Sequence, residues 1–146
     1  MGQTVVVISD THLTHLPDKR KLRFLLNSIG QADLVIINGD FWDSYLTTIQ
    51  RFTSTPHWQP LFQALREKEA VYLYGNHDSA TSCEELESTF STTHGATHEL
   101  TQSGSQFHIE HGNKITPETD ETHPNTPRAL LIAGTLADNL FTQMGK

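Results

Sequence analysis

Val5-Val6-Val7-Ile8-Ser9-Asp10-Thr11-His12 begins as an unbroken β-branched run and ends in a polar cluster. A strand with one wet face would alternate, so the continuous run predicts a strand covered on both faces in a largely parallel sheet. The same transition recurs at residues 34–37, which stop at Asn38-Gly39-Asp40, and at residues 70–74, which stop at Gly75-Asn76-His77-Asp78. Between the first two runs, Leu22, Leu25, Leu26 and Ile29 form the stripe of an amphipathic helix over 19–29, with Gly30 as its stop. Between the second and third, Thr55-Pro56 reads as an N-cap followed by proline in the first turn, and Trp58, Leu61, Phe62 and Leu65 repeat the stripe. Strand, helix, strand, helix, strand predicts right-handed βαβ units, whose ligands sit beyond the carboxyl ends of the strands.

The remaining segments are less periodic. Residues 41–54, rich in aromatic residues and threonine, predict a loop or short helix, and 84–90 a short helix. Residues 96–100 and 106–110 flank a five-residue gap containing Gly104, the pattern of an antiparallel hairpin. Residues 113–127 read as a long loop. Leu130, Ala133, Ala137, Leu140, Phe141 and Met144 fit a closing helix over 128–144.

Composition bounds the reading. A chain of 146 residues that is 36% hydrophobic suits one domain, residues 1–146, with a real core. Ten basic against seventeen acidic residues give a net charge of −7, which argues against a broad nucleic-acid-binding face. Cys83 is the only cysteine, so no internal disulfide forms, as suits a reducing compartment. No segment reaches the ~18 apolar residues of a membrane span and no signal peptide is legible at the start. A cytoplasmic protein is expected.

The polar clusters carry the chemistry. Asp10 and His12, two apart at a strand end, are expected to point the same way and reach one ion. Asp40 follows a glycine and either bridges two ions or caps a turn. Asp43 is a ligand, an orienting group or a helix-starting acid, with a supporting role favoured. Asn76 offers a neutral carbonyl oxygen, His77 a general acid or a stabiliser of a phosphoryl oxygen, and Asp78 a carboxylate to orient that imidazole. His111 ends a strand before Gly112, whereas His108 has the opposite side-chain parity. His94-Gly95 precedes a strand, and His15, His57, His98 and His123 are read as surface or structural. Carboxylate, amide oxygen and imidazole together suit Mn, Fe(II), Ni or Zn, and a pair of such ions clamps a phosphate.

In combination these blocks closely resemble the calcineurin-like metallophosphoesterase superfamily, whose motifs run Asp-x-His, Gly-Asp, Gly-Asn-His-Asp, a His before Gly, then Gly-His-x-His. Four of the five stand in order between residues 4 and 112. The resemblance implies an α/β fold of the αββα sandwich type and two divalent metal ions. It implies that Asp10 and His12 bind the first ion, that Asp40 bridges, and that Asn76 and His111 bind the second. His77 would contact the scissile phosphate with Asp78 in support. The implied reaction is in-line attack of an activated bridging water on a phosphomonoester or phosphodiester of a small or nucleotide-like molecule.

Gly-His-x-His is absent, so the C-terminal strands that carry it are expected to be missing and activity to be weakened. A truncated frame, a non-catalytic protein-binding scaffold, or replacement of the lost ligands by water, a partner subunit or a residue such as His123 would each account for this. An unfinished second sheet would leave an apolar face or edge for an oligomeric partner to cover. A generic nucleotide-binding domain ranks last, because no Gly-x-Gly-x-x-Gly loop follows the first strand.

Overall fold

The computed structural model describes residues 3–78 and 84–112. Four strands, β1 (Val5–Ile8), β2 (Leu34–Asn38), β3 (Val71–Leu73) and β4 (Thr93–Gly95), form one parallel sheet in sequence order. Helix α1 (Lys19–Gly30) joins β1 to β2. Helix α2 (Ile49–Thr53), a 3-10 turn at Pro56–Trp58 and α3 (Gln59–Glu67) join β2 to β3, and α4 (Glu84–Glu87) precedes β4. A hairpin of β5 (Thr97–Gln102) and β6 (Ser105–Glu110) follows. No described helix is long and apolar enough to cross a membrane.

Strand alternation sorts the sheet into two faces. Ile8, Val35, Ile37 and Tyr72 pack in one cluster with Leu25 and Ile29 of α1 and with Leu61, Phe62 and Leu65 of α3. Ile36, Val71 and Leu73 face the other way, and Leu100 and Ile109 of the hairpin pack against them. The hairpin therefore begins a second layer. This mixed α/β arrangement is consistent with the metallophosphoesterase-type sandwich.

Several sequence expectations are corrected. Among the described residues the first strand is not covered on both faces: β1 lies at the edge of the four described strands, and Val7 is 51% exposed on the hairpin side. His94-Gly95 does precede a strand, β5, but it also ends a fourth parallel strand, Thr93–Gly95, too short and too polar to show a buried run. The hairpin gap is two residues, because Gln102 pairs with Ser105 and both Ser103 (φ 52°) and Gly104 (φ 82°) are left-handed. Two positive φ values in succession match the right-handed twist of the strands better than a wider loop would. Gly30 belongs to the helix, and Gln31 caps it. The Thr55 hydroxyl makes no cap; it donates to Arg51 O, and a 3-10 turn precedes α3. Cys83, His123, the loop at 113–127 and the helix at 128–144 lie outside the described residues.

The stretch after β2 positions the site. Phe41 and Trp42 are buried, and the Phe41 ring meets Phe52, Phe90 and Tyr72 at centroid distances of 5.7, 5.0 and 6.4 Å. Burying each large ring contributes on the order of 2–3 kcal/mol. The two carboxylates on either side, Asp40 and Asp43, are thereby fixed to the core.

Candidate metal centre

Two loops meet where β1 and β2 end. Asp10 N–H donates to Gly39 O (3.2 Å), His12 N–H to Asp40 O (2.9 Å) and Leu13 N–H to Phe41 O (2.9 Å), so the pairing of the strands continues beyond the sheet. It continues bent: Asp10 (φ 54°), His12 (φ 44°) and Asp40 (φ 51°) all occupy the left-handed region. Non-glycine residues hold that conformation at a cost of roughly 1–3 kcal/mol each, and such strain concentrates at functional sites. Expected alternation along an extended strand therefore does not describe how Asp10 and His12 project.

Asp40 is the centre of the cluster. Its Oδ1 accepts the His77 N–H at 2.9 Å. Its Oδ2 lies 3.8 Å from His12 Nε2, 3.9 Å from His77 Nε2 and 3.5 Å from His111 Nε2. These separations are long for hydrogen bonds, yet they lie within the limit of about 4.2 Å for two ligands that each bind one ion at about 2.1 Å. The loops leave no spare room. A Cβ on Gly75 would fall 2.1 Å from Asp40 Oδ1, and one on Gly39 would fall 2.3 Å from His111 Nδ1.

Two groups of side chains offer ligand atoms within 4.8 Å of one another: Asp10, Asp40 and His111, and His12, Asp40 and His77. Asp40 is common to both, as a bridging ligand must be. The resemblance puts Asp10 and His12 on one ion, whereas this geometry sets Asp10 beside His111 and His12 beside His77. Asn76 joins through its amide oxygen, 3.2 Å from His111 Nε2.

His111 shows why the donor set fits a cation. Its Nδ1 faces the Asn38 carbonyl at 2.8 Å, and a carbonyl only accepts, so Nδ1 carries a proton. Nε2 then faces the oxygens of Asn76 and Asp40. An imidazole lone pair opposed to two acceptors needs a positive species between them. In the chain alone a second proton serves: the Asp40 carboxylate facing Nε2 raises the imidazole to about 9 against burial, with Asn38 O assisting. A divalent ion would serve instead.

Asp43 holds two imidazoles at once. It is fully buried; Oδ1 accepts the Tyr45 N–H at 2.9 Å, and Oδ2 lies 3.6 Å from His12 Nδ1 and 3.5 Å from His77 Nδ1. Burial alone would raise its carboxyl, but the two imidazoles outweigh it and keep the group well below the usual carboxylate range. The His12 and His77 rings meet edge to face at 4.4 Å, and Tyr45 packs edge-on against His77 at 4.9 Å. For Asp40, too, burial opposes ionisation and is outweighed, here by His111 and His77.

Asp78, expected to orient the His77 ring, is placed otherwise. Its carboxylate accepts the N–H groups of Gly75 (2.6 Å) and Phe41 (2.8 Å), tying the loops after β3 and β2 together. Burial raises it to about 6. Among the described residues, the carboxylate that faces Nδ1 of the His77 ring is that of Asp43. Sequence spacing favoured Asp78 because it is adjacent; buried Phe41 and Trp42 between the two acids were the signal that Asp43 is aimed inward. His108 pairs with Glu99 on the exposed hairpin, apart from the cluster.

A family model described as calcineurin-like phosphoesterase matches residues 3–141. Among curated proteins, none matches the chain.

Proposed function

We propose, on the premise that the chain belongs to the calcineurin-like phosphoesterase family, that it hydrolyses phosphomonoesters or phosphodiesters at a centre for two divalent ions shared through Asp40. The observation that carries this reading is the convergence of three imidazole Nε2 atoms on one oxygen of Asp40. When bound, such a pair of ions supplies Lewis acidity toward a phosphoryl oxygen and a water acidic enough to ionise near neutral pH.

The rest falls to the chain. Asp10, His12, Asp40, Asn76 and His111 hold the ions, with a mixture of oxygen and imidazole donors suited to Mn, Fe, Ni or Zn. His77 contacts the phosphoryl group through Nε2 and holds the proton that the leaving oxygen receives. Asp43, at its Nδ1, fixes the ring and stabilises the imidazolium. Asp78 supports His77 through the backbone it braces. Substrates are small or nucleotide-like esters, since a net charge of −7 disfavours a long polyanion. The single cysteine suits a cytoplasmic protein.

The test is hydrolysis of bis-p-nitrophenyl phosphate and p-nitrophenyl phosphate by metal-stripped protein with added Mn(II). Turnover abolished by chelator and by Asp40→Ala is expected; turnover indifferent to both would overturn the reading. Stoichiometric metal binding without hydrolysis of either ester would favour a protein-binding scaffold on the same fold.

A further inference from the structure

We propose that Lys21 is a positioning residue for the first ligand-bearing loop: from α1 its ammonium clamps the Thr11 carbonyl and so holds Asp10 and His12 in the backbone conformation from which both reach an ion. The inference rests on the metal reading given above. Lys21 Nζ donates to Thr11 O at 2.8 Å. Thr11 stands between the left-handed Asp10 and His12, a pairing that non-glycine residues sustain only when their surroundings over-determine it.

Among the described residues, the backbone N–H and hydroxyl ties of Asp10, Thr11 and His12 reach one side. Asp10 N–H, His12 N–H and the Thr11 hydroxyl donate to Gly39 O, Asp40 O and Phe41 O, all in the stretch after β2. Lys21 adds a tie from the helix. Its own backbone is fixed independently, because the Asp18 carboxylate caps α1 by accepting the N–H groups of Arg20 (3.0 Å) and Lys21 (2.9 Å). A lysine rooted in a capped first turn therefore delivers its charge to one defined peptide. The side chain is partly withdrawn from water: burial lowers its ammonium below the usual lysine range, with Asp18 opposing. Losing the clamp leaves the fold's core untouched and frees the Thr11 peptide to relax, carrying the His12 imidazole away from Asp40 and Asp43.

The experiment titrates Mn(II) into the metal-stripped full chain, following free Mn(II) by electron paramagnetic resonance, and records thermal unfolding without metal. Lys21→Met is expected to weaken Mn(II) binding about tenfold, the lower end of what loss of an outer partner does to a metal site, with the metal-free unfolding midpoint little changed. Lys21→Arg, which still donates to a carbonyl, should restore most of the affinity. Should Lys21→Met fail to fold, Lys21→Gln is titrated with the same readings. Parent-like binding by the neutral variant, or equal weakening in the arginine variant, overturns the proposal. So does an equal loss in Leu25→Ala, which loosens α1 without touching Thr11. Absence of Mn(II) binding by the parent sinks the metal reading and this inference with it; binding by the parent that ignores Lys21 sinks the inference alone.

Discussion

His111 Nε2 stands 3.5 Å from Asp40 Oδ2, and the same imidazole is anchored through Nδ1 to Asn38 O at 2.8 Å. The ring is thus held between a strand end and a carboxylate. The Asp40 carboxylate raises it to about 9 in the chain alone. Below that value the protonated ring cannot coordinate, so metal uptake must expel a proton. We expect Mn(II) affinity to rise by up to about tenfold per pH unit between pH 7 and 9 and then level off. Calorimetry in buffers of different ionisation enthalpy at pH 7.5 should report about one proton released per chain. Uptake without proton release would contradict the assignment of His111.

Asp43→Asn keeps the volume of the side chain while removing the charge that faces His12 and His77. An amide also offers a donor where both rings present Nδ1, so it favours the wrong tautomer in at least one of them. The expected result is a 10–100-fold loss of Mn(II) affinity through His12. A drop in kcat of about 10²-fold or more is expected through His77. Normal affinity with lost turnover would mean that Asp43 serves His77 alone.

How much of this was legible in the sequence follows from what each feature depends on. The apolar runs ending at Asp10, Asp40 and Asn76 announced themselves because strands of parallel sheets are rich in apolar residues and their ends are where ligands collect. β4 gave no such signal: Thr93–Gly95 is recruited by pairing with β3, and its three residues carry no period of their own. The residue types of the cluster and a central place for Asp40 were readable from order and resemblance, but which side chains stand beside one another around Asp40 was not. Grouping depends on the left-handed backbone of Asp10 and His12, and nothing in those residue types forces φ above zero. Adjacency in sequence to His77 likewise says little about Asp78, whose carboxylate accepts the N–H groups of Gly75 in its own loop and Phe41 in the loop after β2.

The two glycines Gly75 and Gly30 should respond oppositely to alanine. At Gly75 the added carbon would meet Asp40 Oδ1 at 2.1 Å and Asp40 N at 2.4 Å. Part of what it meets is backbone that cannot step aside. Gly75→Ala is expected to cost about 1–3 kcal/mol and to impair metal binding by displacing Asp40. At Gly30, in the last turn of α1, a Cβ meets nothing within 4 Å. Gly30→Ala should stabilise the fold by about 0.4–1 kcal/mol, mainly by restricting the unfolded chain. Urea unfolding of the two variants side by side checks both signs.

Phe41 joins the core to the centre. Its ring packs among Phe52, Phe90 and Tyr72. Its N–H donates to Asp78 Oδ2 at 2.8 Å, and its carbonyl accepts from Leu13 N–H and from the Thr11 hydroxyl. Removing the ring leaves those backbone bonds formally intact but takes away the packing that fixes their position. Phe41→Ala should lower stability by about 3–5 kcal/mol. Ile49→Val, at a buried site in α2 that bears no ligand, should cost only about 0.5–1.5 kcal/mol. Under conditions where both variants remain folded, Mn(II) affinity should fall for Phe41→Ala and hold for Ile49→Val. Equal affinities would show that the ligand loops keep their geometry without the aromatic anchor, and that the strained backbone at Asp10, His12 and Asp40 is held by its hydrogen bonds alone.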